Sequence, residues 1–422
     1  MKRPQFRRVK CDGCLRTRSR VLLAALAAVV FRVGTVAALE AAGTLQNVEP
    51  TTRVVKMFAN GQDRVVLVSE DAQILGVDGK PLAGGLKAKE LQRGIAVSIF
   101  AEPGDHGPVV KVLRLGTQRR EVAPGAGKSS VGLKPLSEMT AADRYKGEDG
   151  GLYGGGRNEP MPAHAAGAAR QSAQIAPLDA EGRPSPQGKI GLVSISMSNA
   201  TMEYSLFKLL ADADPQKSPA VAVVDCAQGG QAMAEWSDPA ARAWEGADQR
   251  LAQAGVSPRQ VQVVWIKLAN KGPRGDLAEH VGKLKQDTRA VLRLAKARFP
   301  NLRVAYLGSR IYAGYASTGL NPEPYAYEGA FAVRGLIQDQ ATGAADLAYE
   351  GAAQAPLLLW GPYLWADGTT PRKGDGLVWE RGDLGGDGTH PSASGRRKVA
   401  EQLLKFFKED PLAARWFLKK AG

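Results

Sequence analysis

The chain has 422 residues, 44% of them hydrophobic and 23% charged, which is enough for two or more soluble domains of roughly 100–200 residues each. A net charge of +14 invites a nucleic-acid partner. However, Lys2, Arg3, Arg7, Arg8, Lys10, Arg16, Arg18 and Arg20 stand against Asp12 alone, so half of the excess sits in a tail and no nucleic acid is expected as a partner.

That tail precedes Val21–Phe31, VLLAALAAVVF, eleven apolar residues where a bilayer span needs roughly 20. A basic region, a short apolar core and the small residues near Ala37-Ala38 and Ala41-Ala42-Gly43 read as a secretory signal over residues 1–42. A retained signal anchor is the other reading and the one route to a membrane. Either way the expected location is secreted, periplasmic or cell envelope. Cys11 and Cys14 form a lone C-x-x-C inside the tail, a weak metal signal without a second pair. Past residue 42 only Cys226 remains, which leaves no intramolecular disulfide there and fits a bacterial-type envelope better than a disulfide-stapled scaffold.

Residues 43–116 alternate with period two, in Arg53–Phe58, Asp63–Val68, Ala72–Leu75, Ala96–Phe100 and Val109–Leu115. Asn60-Gly61, Asp78-Gly79, Pro103-Gly104 and Gly107-Pro108 supply the turns. Five or six short antiparallel strands predict a small all-β, barrel-like domain of SH3-like or OB-like kind, read as a structural or protein-binding module because Phe58 and Phe100 are its only aromatics. Residues 117–188 are rich in Gly, Pro, Ala and Ser, with no apolar period, and read as a disordered linker.

From Lys189 strands and helices alternate. Strand candidates are Gly191–Ser196, Ala220–Asp225, Val261–Leu268, Leu302–Gly308 and Pro356–Tyr363. Helix candidates are Met202–Ala211, Pro239–Ala254, Leu277–Phe299, Pro324–Gln338 and Ser392–Lys408. Such β-α units imply a parallel sheet covered by helices on both sides, with ligands bound at the carboxyl ends of the strands. Four polar stretches fall at that edge: Ser196-Met197-Ser198-Asn199, then Asp225–Gln231, then Leu268–Pro273, then Gly385–Ser392. Ser198 and Asn199 suit either chemistry at the strand end or a cap on the following helix.

Four histidines make the search for a base short. His106 falls in a hairpin loop, His164 in the linker and His280 on a helix; His390 alone is expected at the strand-end edge, three residues after Asp387. That spacing lets a carboxylate hold one imidazole nitrogen while the other faces a nucleophile. A loop whose Asp387 and Thr389 merely cap the last helix fits the spacing equally well.

Ser198 in S-M-S-N, Gly230 in D-C-A-Q-G-G, Asn270 in L-A-N and Asp387/His390 in D-G-T-H resemble the four ordered blocks of the SGNH, or GDSL-type, esterase and lipase superfamily, over residues 189–422. The resemblance implies a flavodoxin-like three-layer α/β/α fold with a Ser198 nucleophile, a His390 base and Asp387 as its partner. It also implies an oxyanion hole from the N–H groups of Ser198 and Gly230 and the Asn270 amide, with no metal or organic cofactor. Met197, Ala227, Leu268 and Lys271 depart from the family pattern; the S-N pair is closer to carbohydrate O-acetylesterases.

The implied activity is hydrolysis of a carboxylic ester through an acyl-enzyme, on O-acetyl groups of a carbohydrate. Asn199, Arg310 and Tyr312 are candidate substrate contacts, and Trp236, Tyr315, Tyr325, Tyr327 and Trp365 candidate sugar-site walls. The alternative is a catalytically degenerate relative that binds a glycan or protein outside the cytoplasm. The sequence leaves the acyl group and the oligomeric state open.

Overall fold

The computed structural model describes residues 39–59, 62–104, 107–116 and 127–419. The tail, the apolar run Val21–Phe31, Cys11, Cys14 and His106 lie outside the described residues.

Strands β1 (Leu39–Glu49), β2 (Val54–Ala59), β3 (Gln62–Leu75), β4 (Ala96–Gly104) and β5 (Gly107–Leu115) close into a barrel in the order β1-β2-β3-β5-β4. Alternation explains the closure: along β2, Val55, Met57 and Ala59 are buried while Lys56 and Phe58 face outward. The inward set meets Leu45, Val68, Ile99, Val110 and Leu113 in one core. Three expectations are corrected here. Residues 39–42, assigned to the signal, form the first rungs of β1 against β4. The runs Asp63–Val68 and Ala72–Leu75 are one strand with a register shift between Val68 and Gln73. The strands are not all antiparallel, because β3 pairs with β5 in parallel, a non-local pairing that period-two alternation does not encode.

The linker reading is also corrected, because residues 127–188 are ordered. Helix α1 (Pro162–Ala173) forms there, and Leu136, Met139, Ala168 and Ile175 belong to the same core as the strands that follow. Small residues permit close packing rather than disorder: a Cβ on Gly167 would stand 2.3 Å from the Tyr349 hydroxyl. Buried His164 meets the Leu358 carbonyl at 2.7 Å through Nε2. The apolar contacts are scattered singly, so no period reveals them.

The third unit is a parallel five-stranded sheet of β6 (Ile190–Ile195), β7 (Val221–Asp225), β8 (Val261–Lys267), β9 (Val304–Gly308) and β10 (Leu357–Trp360) in the order β10-β9-β8-β6-β7. Numbered within this unit the order is 2-1-3-4-5. Every residue of β6, β8, β9 and β10 is buried, as a sheet covered on both faces requires. The helices are α2 (Ser198–Ala213), α3 (Met233–Trp236), α4 (Arg242–Gln253), α5 (Leu277–Arg298), α6 (Tyr325–Ala341), α7 (Ala393–Glu409) and α8 (Pro411–Phe417). Helix α2 packs on α7 through stacked Phe207 and Phe407, centroids 5.4 Å apart. Because β6 lies between β7 and β8, successive connections leave it in opposite directions, which opens a crevice beyond its carboxyl end.

Candidate active site

Ser198 is the first residue of α2, directly beyond β6. The N-cap of that helix is Met197, which makes no side-chain cap bond, so neither Ser198 nor Asn199 serves as a cap. The Ser198 hydroxyl lies 2.7 Å from His390 Nε2, and His390 Nδ1 lies 2.6 Å from Asp387 Oδ2. With the carboxylate accepting at Nδ1, that nitrogen carries the proton, and the serine hydroxyl donates to Nε2. Asp387 Oδ1 also accepts the backbone N–H groups of Thr389 and His390, each at 3.0 Å. Burial pushes the Asp387 pKa up, but the hydrogen bond and charge of His390 and these N–H groups outweigh it, leaving it at about 2. All three side chains are partly exposed.

The Gly385–Ser392 loop does not cap the last helix through Asp387 or Thr389; Ser392 is the N-cap of α7 and accepts from Gly395. What fixes the loop is its contact with the β9–α6 connection. Ser317 N–H donates to the Asp387 carbonyl at 2.9 Å. Gly388 has φ +65°, and a Cβ there would stand 1.7 Å from the Tyr315 carbonyl oxygen. Only glycine combines that backbone conformation with so close an approach.

The second and third loops are laced to the serine turn. Gln228 N–H donates to the Ser196 carbonyl at 2.9 Å, and Met233 N–H to the Ala269 carbonyl at 3.0 Å. Met197, Ala232 and Ala269 form a small buried cluster between them. Gly230 has φ +76° with open space where a side chain would stand. The Asn270 amide is held at both ends: Oδ1 accepts Ala234 N–H at 2.9 Å and Nδ2 donates to Asp287 Oδ2 at 2.6 Å, which leaves one amide hydrogen uncommitted. Lys271 pairs with Glu235 at 2.7 Å.

The candidate substrate contacts fare differently. Asn199 is 1% exposed and donates to the Thr389 carbonyl at 2.9 Å, tying the serine helix to the histidine loop rather than meeting a ligand. Tyr312 is fully buried, and its hydroxyl donates to the Lys128 carbonyl at 2.6 Å. Arg310 is buried beside Met197, its Nη1 3.4 Å from the sulfur, out of reach of a substrate carboxylate. Trp236, Tyr315, Tyr327 and Trp365 are likewise buried core residues.

The supporting roles of several groups are not visible in the sequence. Asp225, at the end of β7, accepts the hydroxyls of Ser194, Thr201 and Ser205 at 2.6, 2.5 and 2.7 Å, anchoring α2 to the sheet. Glu203 on α2 and Lys267 on β8 form a fully buried ion pair with both oxygens 2.6 Å from Nζ. A lysine inside the largely apolar run Val261–Leu268 was the available signal, since a buried charge demands a partner. Asp287 had no such flag.

No protein-family model and no curated protein matches the sequence. Among solved structures, an inferred acylhydrolase from Bacteroides fragilis aligns over 60% of this chain and 100% of its own, with a TM-score of 0.31 and 14% identity. Silver-bound CusF aligns over 19% of this chain and 99% of its own, with a TM-score of 0.15 and 6% identity, as does apo-CusF from Escherichia coli over 20% and 100%. Likenesses at these TM-scores carry nothing about function.

Proposed function

We propose that the chain is an exported serine esterase of SGNH type that hydrolyses carboxylic esters, with O-acetyl groups on carbohydrate as the substrate class. The observation that carries this is the continuous chain of hydrogen bonds from Ser198 through His390 to Asp387. The 2-1-3-4-5 strand order, with the serine directly beyond the strand where the connections diverge, supports the flavodoxin-like three-layer arrangement that the resemblance implies.

In the proposed reaction His390 Nε2 takes the Ser198 proton as Oγ bonds to the ester carbon, and Asp387 stabilises the resulting imidazolium. The carbonyl oxygen becomes an anion. The N–H groups of Ser198 and Gly230 and the uncommitted Asn270 amide hydrogen are the donors proposed to receive it. As the tetrahedral species collapses, the ester C–O bond breaks and the alcohol leaves with the proton from His390. Water, deprotonated by the same imidazole, then releases the acyl group from Ser198 as the free acid.

The test is turnover of p-nitrophenyl acetate and of acetylated polysaccharide by the full chain, with mass-spectrometric mapping of a fluorophosphonate label. Label on Ser198, and loss of label and turnover in Ser198→Ala, are expected. A wild-type chain that takes no label and releases no acid, yet binds glycan, would establish the binding-module alternative instead.

A further inference from the structure

Beside Met197, the residue before Ser198, lies a buried cation. Arg310, on the loop after β9, is 1% exposed. Its Nη1 faces only the weak acceptor Met197 Sδ, and its Nε and Nη2 have no hydrogen-bond partner. The carboxylates whose charge it feels are Glu203, Glu323 and Asp387, and each is committed. Both Glu203 oxygens hold Lys267. Glu323 accepts from Ala313, Tyr327 and the Trp365 indole. Asp387 holds His390 and two backbone N–H groups. No salt bridge to Arg310 occurs among the described residues. A buried guanidinium stays protonated, and keeping it unpaired is costly. Such a cost persists where the charge has use, as strained or desolvated groups at reactive centres do.

We infer that Arg310 is an electrostatic positioning residue for the proposed esterase reaction: its unpaired positive charge, held against the side chain of Met197, the residue before Ser198, stabilises the anion formed when Ser198 attacks. The inference rests on the serine-esterase reading and gives it a component that touches neither substrate nor triad. The ester is neutral before attack and anionic after it, so a fixed cation acts on the transition state more than on the bound ground state. Arg310 therefore affects kcat, not KM. A backbone or packing role would depend on the shape of the side chain; this one depends on its charge.

The experiment compares Arg310→Met, Arg310→Gln and Arg310→Lys with wild type in the full chain, following kcat and KM on p-nitrophenyl acetate and the rate of fluorophosphonate labelling at Ser198. Arg310→Met is expected to lower kcat and the labelling rate about tenfold or more, equivalent to about 1.4 kcal/mol, with KM within about twofold. Arg310→Lys is expected to recover most of the loss. Where circular dichroism shows that the Met variant does not fold, the Gln and Lys variants make the same comparison. Labelling of the Met or Gln variant at the wild-type rate overturns the inference. So does a Lys variant as slow as the neutral ones, because shape rather than charge would then matter. A wild-type chain that neither turns over nor takes label overturns the esterase reading and this inference together, whereas a labelled wild type with unaffected variants overturns this inference alone.

Discussion

Asp287→Ala tests the reading of Asn270 as an oxyanion donor through a residue that no substrate touches. Asp287 is 5% exposed on α5; one oxygen accepts the Asn270 amide at 2.6 Å and the other pairs with Lys283. A hydrogen bond to a charged group contributes about 1.5–3 kcal/mol net. If that energy serves to hold the amide with its second hydrogen outward, losing it lowers kcat by roughly 10–100-fold, at 1.36 kcal/mol per factor of ten. Asn270→Ala, which removes the donor itself, is expected to cost on the order of 10²–10³. The assay is a double-mutant cycle on kcat for p-nitrophenyl acetate, with thermal melts as a folding control. Since Asp287 acts only through Asn270, the double variant should be no slower than Asn270→Ala. Multiplicative losses, or a full-rate Asp287→Ala protein with its melting temperature unchanged, would refute this account of the third loop.

Asp387→Asn removes the acceptor that holds His390 in the required tautomer and should lower kcat by roughly 10⁴ on the precedent of serine-protease triads, read as steady-state turnover. Because the Asp387 pKa is depressed to about 2 from 3.8, it stabilises the fold above about pH 4 and this contribution disappears as pH falls towards 2; in acid melts the Asn variant should lack that component. Gly388→Ala places a Cβ against the Tyr315 carbonyl and should displace the histidine loop, lowering kcat at least about 100-fold while far-ultraviolet circular dichroism is retained. Burial raises the Glu323 pKa from 4.5 to about 7, so the folded state holds a proton that the unfolded chain has lost. Stability from this group is full below about pH 4.5 and declines as pH rises to 7. Melts at pH 5 and pH 8 should show wild type losing more between them than Glu323→Gln, and parallel losses would contradict the assignment.

The parallel sheet was legible because its strands are short apolar runs separated by helix-length segments, a pattern that few architectures other than a covered parallel sheet accommodate. That Ser198 and His390 stand within hydrogen-bond reach across almost the whole α/β unit follows from the same logic, since all parallel strands deliver their following loops to one edge. Side-chain direction was not legible. Asn199, Arg310 and Tyr312 are polar residues on that edge, yet each turns inward, to the Thr389 carbonyl, the Met197 sulfur and the Lys128 carbonyl respectively. Inward turning is decided by partners distant in sequence. The ordering of residues 127–188 was hidden for a related reason: Leu136, Met139 and Ile175 each find a place in a core built by other segments, so their burial leaves no local rhythm. Asp287 sits on the α5 stripe that carries Leu284 and Val291, and its partners are the Asn270 amide, distant in sequence, and Lys283 one turn before it.

The hydroxyl and the imidazole are each carried close to the start of a long helix, α2 and α7, and those helices are clamped by the stacked rings of Phe207 and Phe407. Their separation is therefore set by that aromatic seam together with the contacts nearer the triad, the Asn199 amide on the Thr389 carbonyl and the Ser317 N–H on the Asp387 carbonyl. Slackening that seam enough to let the two rods slide by about an ångström would stretch the 2.7 Å contact past hydrogen-bond reach. On heating, a loosened seam should part the hydroxyl from the imidazole before the chain as a whole unfolds.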